Sequence, residues 1–301
     1  MFSRNAWKAR IAAIAAVIAL LVLTPVTASA QDCDRDCLRG LITQYVDALV
    51  ARDPSRLPLA DEVRFTEDSN ELELGEGLWA TVTGKGTFRQ DYLDTTRQIA
   101  AAHVELKEGN IPVLYSVLLH VDDRKIAGIE TLVQRIMADS TFQPTELGGP
   151  IRGMNDPVPP DQKQSRESMI ATALTYTEGL RIGNFADGGT PFAEGTYRVE
   201  NGVITAGEGC GRENCDMYAQ RIMVHPSILA SVAAVDEEAG IVLLWMNFGF
   251  TDSYGPGKSL VTYEAFKVWG GEIHSILAFF RTLPIATPRY WSTSDPLPPR
   301  P

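Results

Sequence analysis

The sequence predicts an α+β protein made of two tandem cone-shaped domains, and three observations carry that prediction. The first is a repeat. Pro58-Leu-Ala-Asp61-Glu-Val-Arg-Phe-Thr-Glu67-Asp68 recurs 133 residues later as Pro191-Phe-Ala-Glu194-Gly-Thr-Tyr-Arg-Val-Glu200-Asn201. The second is register. Leu41, Tyr45 and Leu49 answer Thr172, Tyr176 and Leu180, and Gly75-Glu76-Gly77 answers Gly207-Glu208-Gly209. Val121 to Ile126 answers Val268 to Ile273, now 147 residues apart. Self-similarity through four landmarks with one insertion describes two copies of a domain of about 110–130 residues. The third is element order: each half reads helix, short elements, then a long antiparallel meander. A curved sheet wrapped on N-terminal helices encloses a cone.

The first domain is expected over residues 31–137. It opens with an amphipathic helix, since Leu38, Leu41, Ile42, Tyr45 and Leu49 recur at helical spacing and Asp53-Pro54 ends the run. Strands are expected at 63–65, 92–99, 101–106, 113–121 and 126–136. Residues 138–163, rich in Pro and Gly, read as a linker. The second domain, 164–284, starts with a helix capped at Ser165 and running through Leu180. Further structure is expected over 216–229, with strands at 241–248, 260–269 and 273–280, the last two joined by the turn Gly270-Gly271. A Pro-rich tail, 285–301, follows, with Tyr290-Trp291 positioned to fold back on the body.

Residues 1–30 read as an export signal. Arg4, Lys8 and Arg10 precede the apolar run Ile11 to Leu23, and Ala28-Ser29-Ala30 has the small-x-small form of a cleavage site. That run is shorter than the roughly 18–20 residues a membrane span needs. The expected location is therefore secreted or periplasmic, with no membrane association after cleavage. The chain has 27 Lys and Arg against 38 Asp and Glu. Removing the three basic residues of the signal leaves 24 against 38, a net charge of −14. That sign opposes nucleic acid as a partner. Cys33, Cys37, Cys210 and Cys215 are even in number, which in an oxidising compartment favours disulfides. Four Cys allow three connectivities. Cys210–Cys215 is the easiest local bridge, and Cys33–Cys37 requires an unwound helix start. Neither pair has zinc-knuckle spacing, and the four His (103, 120, 225, 274) show no metal-ligand spacing, so no metal and no cofactor are expected.

On Tyr92-Leu-Asp-Thr-Thr96, Val121-Asp-Asp-Arg-Lys-Ile-Ala-Gly-Ile-Glu130, Glu200-Asn201-Gly202, Val235 to Val242 and Tyr263-Glu-Ala-Phe-Lys-Val268, the chain resembles the nuclear transport factor 2-like superfamily in its SnoaL-like branch. Within it, the chain is most similar to exported tandem proteins of bacteria and fungi that carry a domain of unknown function. The resemblance spans about residues 33–284. It implies the cone fold with a pocket between helices and sheet. It also implies a small-molecule ligand, because superfamily members include cofactor-free isomerases, cyclases, dehydratases and epoxide hydrolases beside plain binding domains. Fold alone does not choose among these. Single-domain members commonly dimerise through their sheets, so the two halves are expected to form an intramolecular pseudo-dimer, with a monomeric protein as one outcome.

A cofactor-free pocket enzyme needs a desolvated carboxyl or His. Glu264 stands on an apolar strand face with Phe266 and Val268, while Tyr263 and Lys267 face the other way. It is the expected catalytic base, with His274 on the neighbouring strand as its partner. Trp245 and Asn247, on one face of their strand, and Tyr176 are the expected substrate contacts with Phe266. For Trp245 and Tyr176, core packing is the competing reading. Glu130, Glu67, Glu200 and Asn201 are assigned secondary or structural roles, the last through its Asn-Gly turn. The first half has Val117 and Ala127 where the second has Glu264 and His274, which places the functional pocket in the second half. Two functions fit: an exported acid–base enzyme (isomerase, lyase, dehydratase or hydrolase) acting on a small apolar or aromatic molecule, and a non-catalytic binding or interaction module.

Overall fold

The computed structural model describes residues 31–251, 253–289 and 291; the expected signal segment, Tyr290 and residues 292–301 of the expected tail lie outside the described residues. Helix α1 (Arg35–Ala51) starts at Asp34, whose side chain accepts the amide of Cys37, and ends where Arg52 turns into the left-handed region at φ 54°. Strands β1 (Leu59–Glu67) and β2 (Asn70–Glu71), the one-turn helix α2 (Leu78–Thr81), and β3 (Gly84–Asp94), β4 (Ile99–Glu108), β5 (Ile111–Asp122) and β6 (Lys125–Arg135) follow. The second half repeats the order. Helix α3 (Arg166–Ile182) is capped by Ser165, and after it come β7 (Phe192–Glu200), β8 (Val203–Ala206), β9 (Leu229–Asp236), β10 (Ile241–Asn247), β11 (Lys258–Trp269) and β12 (Glu272–Pro284).

Each half holds one six-stranded sheet, ordered β2-β1-β6-β5-β4-β3 and β8-β7-β12-β11-β10-β9, the same permutation in both. Registers also correspond. Glu67 and Val117 flank Thr131 in the first sheet, as Glu200 and Glu264 flank Ala278 in the second. The expectation of antiparallel sheets is corrected here. β1 and β7 join β6 and β12 in parallel, so both sheets are mixed. The helical layer is also thinner than expected, with one long helix per half and α2 as a single turn.

Apolar periodicity explains the layering. Leu38, Ile42, Tyr45 and Leu49 of α1 pack on Val117, Leu119 and Ile129 of the first sheet. Met169, Ala173, Tyr176 and Leu180 of α3 pack on Val242, Leu244, Phe266 and Ile276 of the second. The opposite faces of the two sheets meet each other, Tyr92, Leu114, Leu118 and Leu132 against Tyr197, Trp245, Tyr263, Leu277 and Phe279. The order is helix, sheet, sheet, helix, so the central strands β5, β10 and β11 are buried on both faces.

Edge strands β3 and β9 meet through a reciprocal exchange. Asp94 accepts the amide of Val235 at 2.8 Å and the guanidinium of Arg166 at 2.6 Å. Asp236 accepts the amide of Leu93 at 2.9 Å and the guanidinium of Arg35. Arg35 and Arg166 are the first residues of their helices. Each edge thus presents its unpaired amide to a buried carboxylate of the other, which blocks further strand addition.

The segments that follow the two sheets are exchanged as well. Residues 138–163 are not a free linker. Leu147, Ile151 and Met154 enter the inter-sheet core, and Arg152 lies 4.5 Å over the Tyr197 ring of the second sheet. The tail instead crosses to the first sheet. There Trp291 stacks on His120 at 4.3 Å and donates to Thr66, in space that a side chain at Gly128 would fill.

Smaller departures have local causes. The expected strand over 92–99 is two strands, because Gln98 takes a positive φ and a turn intervenes. Residues 216–228 carry turns rather than a helix or strand. Both local disulfides form, Cys33–Cys37 and Cys210–Cys215. The first requires no unwinding, since Cys33 precedes the cap Asp34 and only Cys37 lies inside α1. Among the described residues no helix is long and apolar enough to cross a membrane.

Candidate functional site

Strand alternation turns Thr262, Glu264, Phe266 and Val268 of β11 toward α3, and Val261, Tyr263 and Ala265 toward the other sheet. Glu264 is therefore inside the second cone, 2% exposed. Around it stand Tyr176 from α3, Arg198 and Glu200 from β7, and Phe266, whose ring centroid is 4.9 Å from that of Tyr176.

Burial pushes the Glu264 carboxyl up to about 8, and the neighbouring Glu200 adds to that; Arg198 and a hydrogen bond with Tyr176 only partly oppose it. Its Oε1 has no hydrogen-bond partner among the described residues. At neutral pH Glu264 is thus the protonated acid of the site. Burial also raises the Tyr176 phenol well above its ordinary value, so it stays a neutral donor.

Arg198 is the residue that sequence reasoning missed. Its guanidinium donates to Thr205 Oγ1 at 2.8 Å, Tyr176 Oη at 3.0 Å and Gln220 Oε1 at 2.6 Å, and lies 3.4 Å from Glu200. Coulombic attraction from Glu200 and the bond to Tyr176 outweigh its desolvation, so it remains charged. The signal was in the repeat: Arg198 aligns with Phe65, and a cation stands where the other copy is apolar.

The first cone lacks this set. Phe65 and Val117 replace Arg198 and Glu264, and Trp79 fills the space, donating Nε1 to Tyr45 at 3.2 Å. Tyr45 and Tyr115 share a 2.8 Å hydroxyl contact. Glu67 accepts the amide of Leu78 at 2.9 Å, capping α2.

Several expected partners of Glu264 lie elsewhere. Trp245 and Asn247 face the opposite way, because Leu244 and Met246 take the cone side of β10. Asn247 instead holds the tail, donating to the carbonyls of Ile285 and Thr287 and accepting from Ser259. His274 stacks on Trp269 with centroids 3.4 Å apart and contacts the Trp269 carbonyl at 3.1 Å. It lies four residues from Ala278, the partner of Glu264, roughly 13 Å along the strand. Desolvation lowers its pKa. Asn201 holds its turn, exchanging two 2.9 Å bonds with the Phe280 backbone. Glu130 is buried between the sheets, bound to Arg289, Tyr263 and His120.

A depression of about 340 Å³ opens at the mouth of the second cone, lined by Phe192, Glu194, Thr196, Asp216, Met217 and Tyr218 among others. Phe192 separates it from the acid, standing edge-on to Tyr176 at 6.3 Å. The loop that carries Cys210–Cys215 closes over the cone, with Gln220 bonded to Arg198 and Met217 in the core. Among the described residues no group of His, Cys, Asp and Glu has the arrangement of a metal centre.

Comparison with known proteins adds little chemistry. Residues 162–280 match the model of a domain of unknown function (DUF8021), which covers the second half only. No curated protein matches the chain. The solved structures include one described as "Crystal structure of putative ketosteroid isomerase from Kribbella flavida DSM 17836", 18% identical, covering 37% of this chain and 93% of that one at a TM-score of 0.29. A likeness at that level carries no argument about what this chain does.

Proposed function

We propose that the protein is an exported, cofactor-independent acid–base enzyme acting on a small apolar or aromatic molecule, with its site in the second cone. The observation that carries this reading is Glu264: a fully buried carboxyl, protonated at neutral pH, with one oxygen unpartnered and a tyrosine and an arginine beside it. Glu264 is the acid. Glu200, ion-paired with Arg198 and two strands away, is the carboxylate fit to act as base. Two interstrand steps, across Ala278, put their Cα atoms roughly 10 Å apart. Tyr176 and Arg198 would steady an oxyanion that develops on the substrate. Entry is from the depression at the cone mouth, past Phe192 and under the 207–228 loop. The two halves act as an intramolecular pseudo-dimer, with the first half supplying the sheet that covers the second; the reciprocal Asp94–Arg166 and Asp236–Arg35 exchange is the isologous contact such an arrangement makes.

The non-catalytic reading has one observation in its favour: Phe185, Phe192, Phe266 and Met217 fill the cone themselves. Proton exchange separates the two. Small cyclic β,γ-unsaturated ketones in D₂O, followed by NMR, should exchange and isomerise with the wild-type protein. Glu264→Gln should slow this by about 10²-fold, the usual scale of a general acid or base. Wild type and Glu264→Gln behaving alike, including both being inert, would exclude the enzyme reading.

A further inference from the structure

A second cleft, of about 300 Å³, lies where the two halves meet, at the edge of the first sheet beside α1. Its wall is built by two periodicities. Arg35 and Arg39 are one turn apart on α1, and Arg89, Asp91 and Leu93 alternate on β3. Asn155 closes one side, and Asp236, Ala239 and Ile241 come from the second half. Junctions between domains are frequent places for small-molecule sites, and this volume is at the lower end of their range.

The charge inside is arranged unevenly. Asp91 is taken up by Arg89, at 2.6 and 2.9 Å, and Asp236 by Arg35. Arg39 is left over. It is 3.8 Å from Asp91, and its close partner is Asp36, whose side chain is 91% exposed. Such a solvated pair is worth little and exchanges readily for a better anion. Among the described residues the one other acid paired with the set is Glu238, also exposed, at 3.4 Å from Arg35. Three guanidinium groups therefore converge in one cleft of a chain with a net charge of −11.

Gln90 supplies a second, independent feature. It lines the cleft and is 4% exposed; its Nε2 donates to Asn155 at 2.8 Å, while its Oε1 has no hydrogen-bond partner among the described residues. A buried acceptor without a donor is costly. The wall thus combines a surplus planar cation, an unanswered acceptor and an apolar floor of Leu93, Ala239 and Ile241.

We infer that this cleft binds a small hydroxycarboxylate with an apolar body. Its carboxylate pairs with the Arg39 guanidinium in the bidentate geometry that guanidinium favours. Its hydroxyl donates to Gln90, and its body lies on Leu93 and Ile241. The site is independent of Glu264 and does not depend on the protein being an enzyme.

Mandelate is a suitable probe, with phenylacetate lacking the hydroxyl and 1-phenylethanol lacking the carboxylate. Titration by ¹H–¹⁵N NMR should show saturable shifts at Arg39, Gln90, Asn155 and Ile241 with mandelate. Phenylacetate should bind more weakly, and 1-phenylethanol should leave these signals unmoved. Arg39→Gln, which leaves the Arg35–Asp236 and Arg89–Asp91 pairs in place, should weaken mandelate about ten-fold or more, the scale of a lost charged hydrogen bond. Gln90→Leu should erase the preference for mandelate over phenylacetate. Equal shifts with all three probes, no saturable shift, or mandelate binding unchanged in Arg39→Gln would each overturn the site.

Discussion

Replacing Glu130 by Ala should cost the folded protein about 3–5 kcal/mol, the scale for removing one partner of a buried ion pair. Glu130 is 2% exposed and receives Arg289 at 2.6 and 3.0 Å, the Tyr263 hydroxyl at 2.8 Å and His120 at 3.0 Å. The variant would leave the Arg289 guanidinium buried between the sheets, with Ser231, the Val232 carbonyl and the Tyr263 hydroxyl as its partners among the described residues. Urea denaturation at pH 7 measures the loss. The double variant Glu130→Leu/Arg289→Met should recover most of it, because the cost lies in the orphaned charge rather than in a large net gain from the pair. Acid provides a second reading of the same contact. Burial alone would raise the Glu130 carboxyl, but Arg289 and His120 outweigh it and hold it at about 2. The folded state therefore binds fewer protons here than the unfolded one between about 4.5 and 2. The stabilisation is complete above about 4.5 and is lost as pH falls toward 2, a segment of the acid profile that Glu130→Ala should lack. A loss below about 1 kcal/mol at pH 7 would contradict this account of the seam.

Asp94→Ala should be of similar severity. Asp94 is fully buried and holds Arg166, the amide of Val235 and the amide of Arg97 at 2.9 Å. Its loss takes from the buried Arg166 its closest carboxylate, leaving the half-exposed Glu237 at 3.3 Å, and removes the acceptor of two amides, again about 3–5 kcal/mol. Asp236→Ala removes the reciprocal set but should cost less, because the Arg35 side chain is 22% exposed and can turn to water, whereas that of Arg166 is 9% exposed. Hydrogen exchange localises the effect. In both variants the amides of Leu93 and Val235 should lose protection ahead of the strand centres. Equal costs, or protection lost first in the helices, would contradict the reciprocal seam.

The sequence carried the layout of each half but not the way the halves meet. The 147-residue offset between Val121 and Val268 aligned Val117 with Glu264, and the sheet registers place them in equivalent rows. Alternation also put Glu264 on the face of Phe266 rather than of Tyr263. The same rule could not say which face Trp245 and Asn247 share, because period two fixes companions and not direction. Arg198 was legible and went unread; one comparison with Phe65 exposes it. The exchange of residues 138–163 and the tail, and the ties of Asp94 and Glu130 across the seam, join positions far apart in the chain, from 72 residues for Asp94–Arg166 to 225 for Thr66–Trp291. No local pattern encodes such contacts.

The central claim is that Glu264 is a proton-bearing acid in a closed, desolvated site. It is tested most directly by ¹³C NMR of protein labelled at glutamate side-chain carboxyls, titrated from pH 4 to 10 and assigned by the missing signal in Glu264→Gln. The account predicts a midpoint near 8 for Glu264, with the carboxyl still protonated at pH 7. A midpoint near 4.5, the ordinary value for a solvated glutamate, would contradict it.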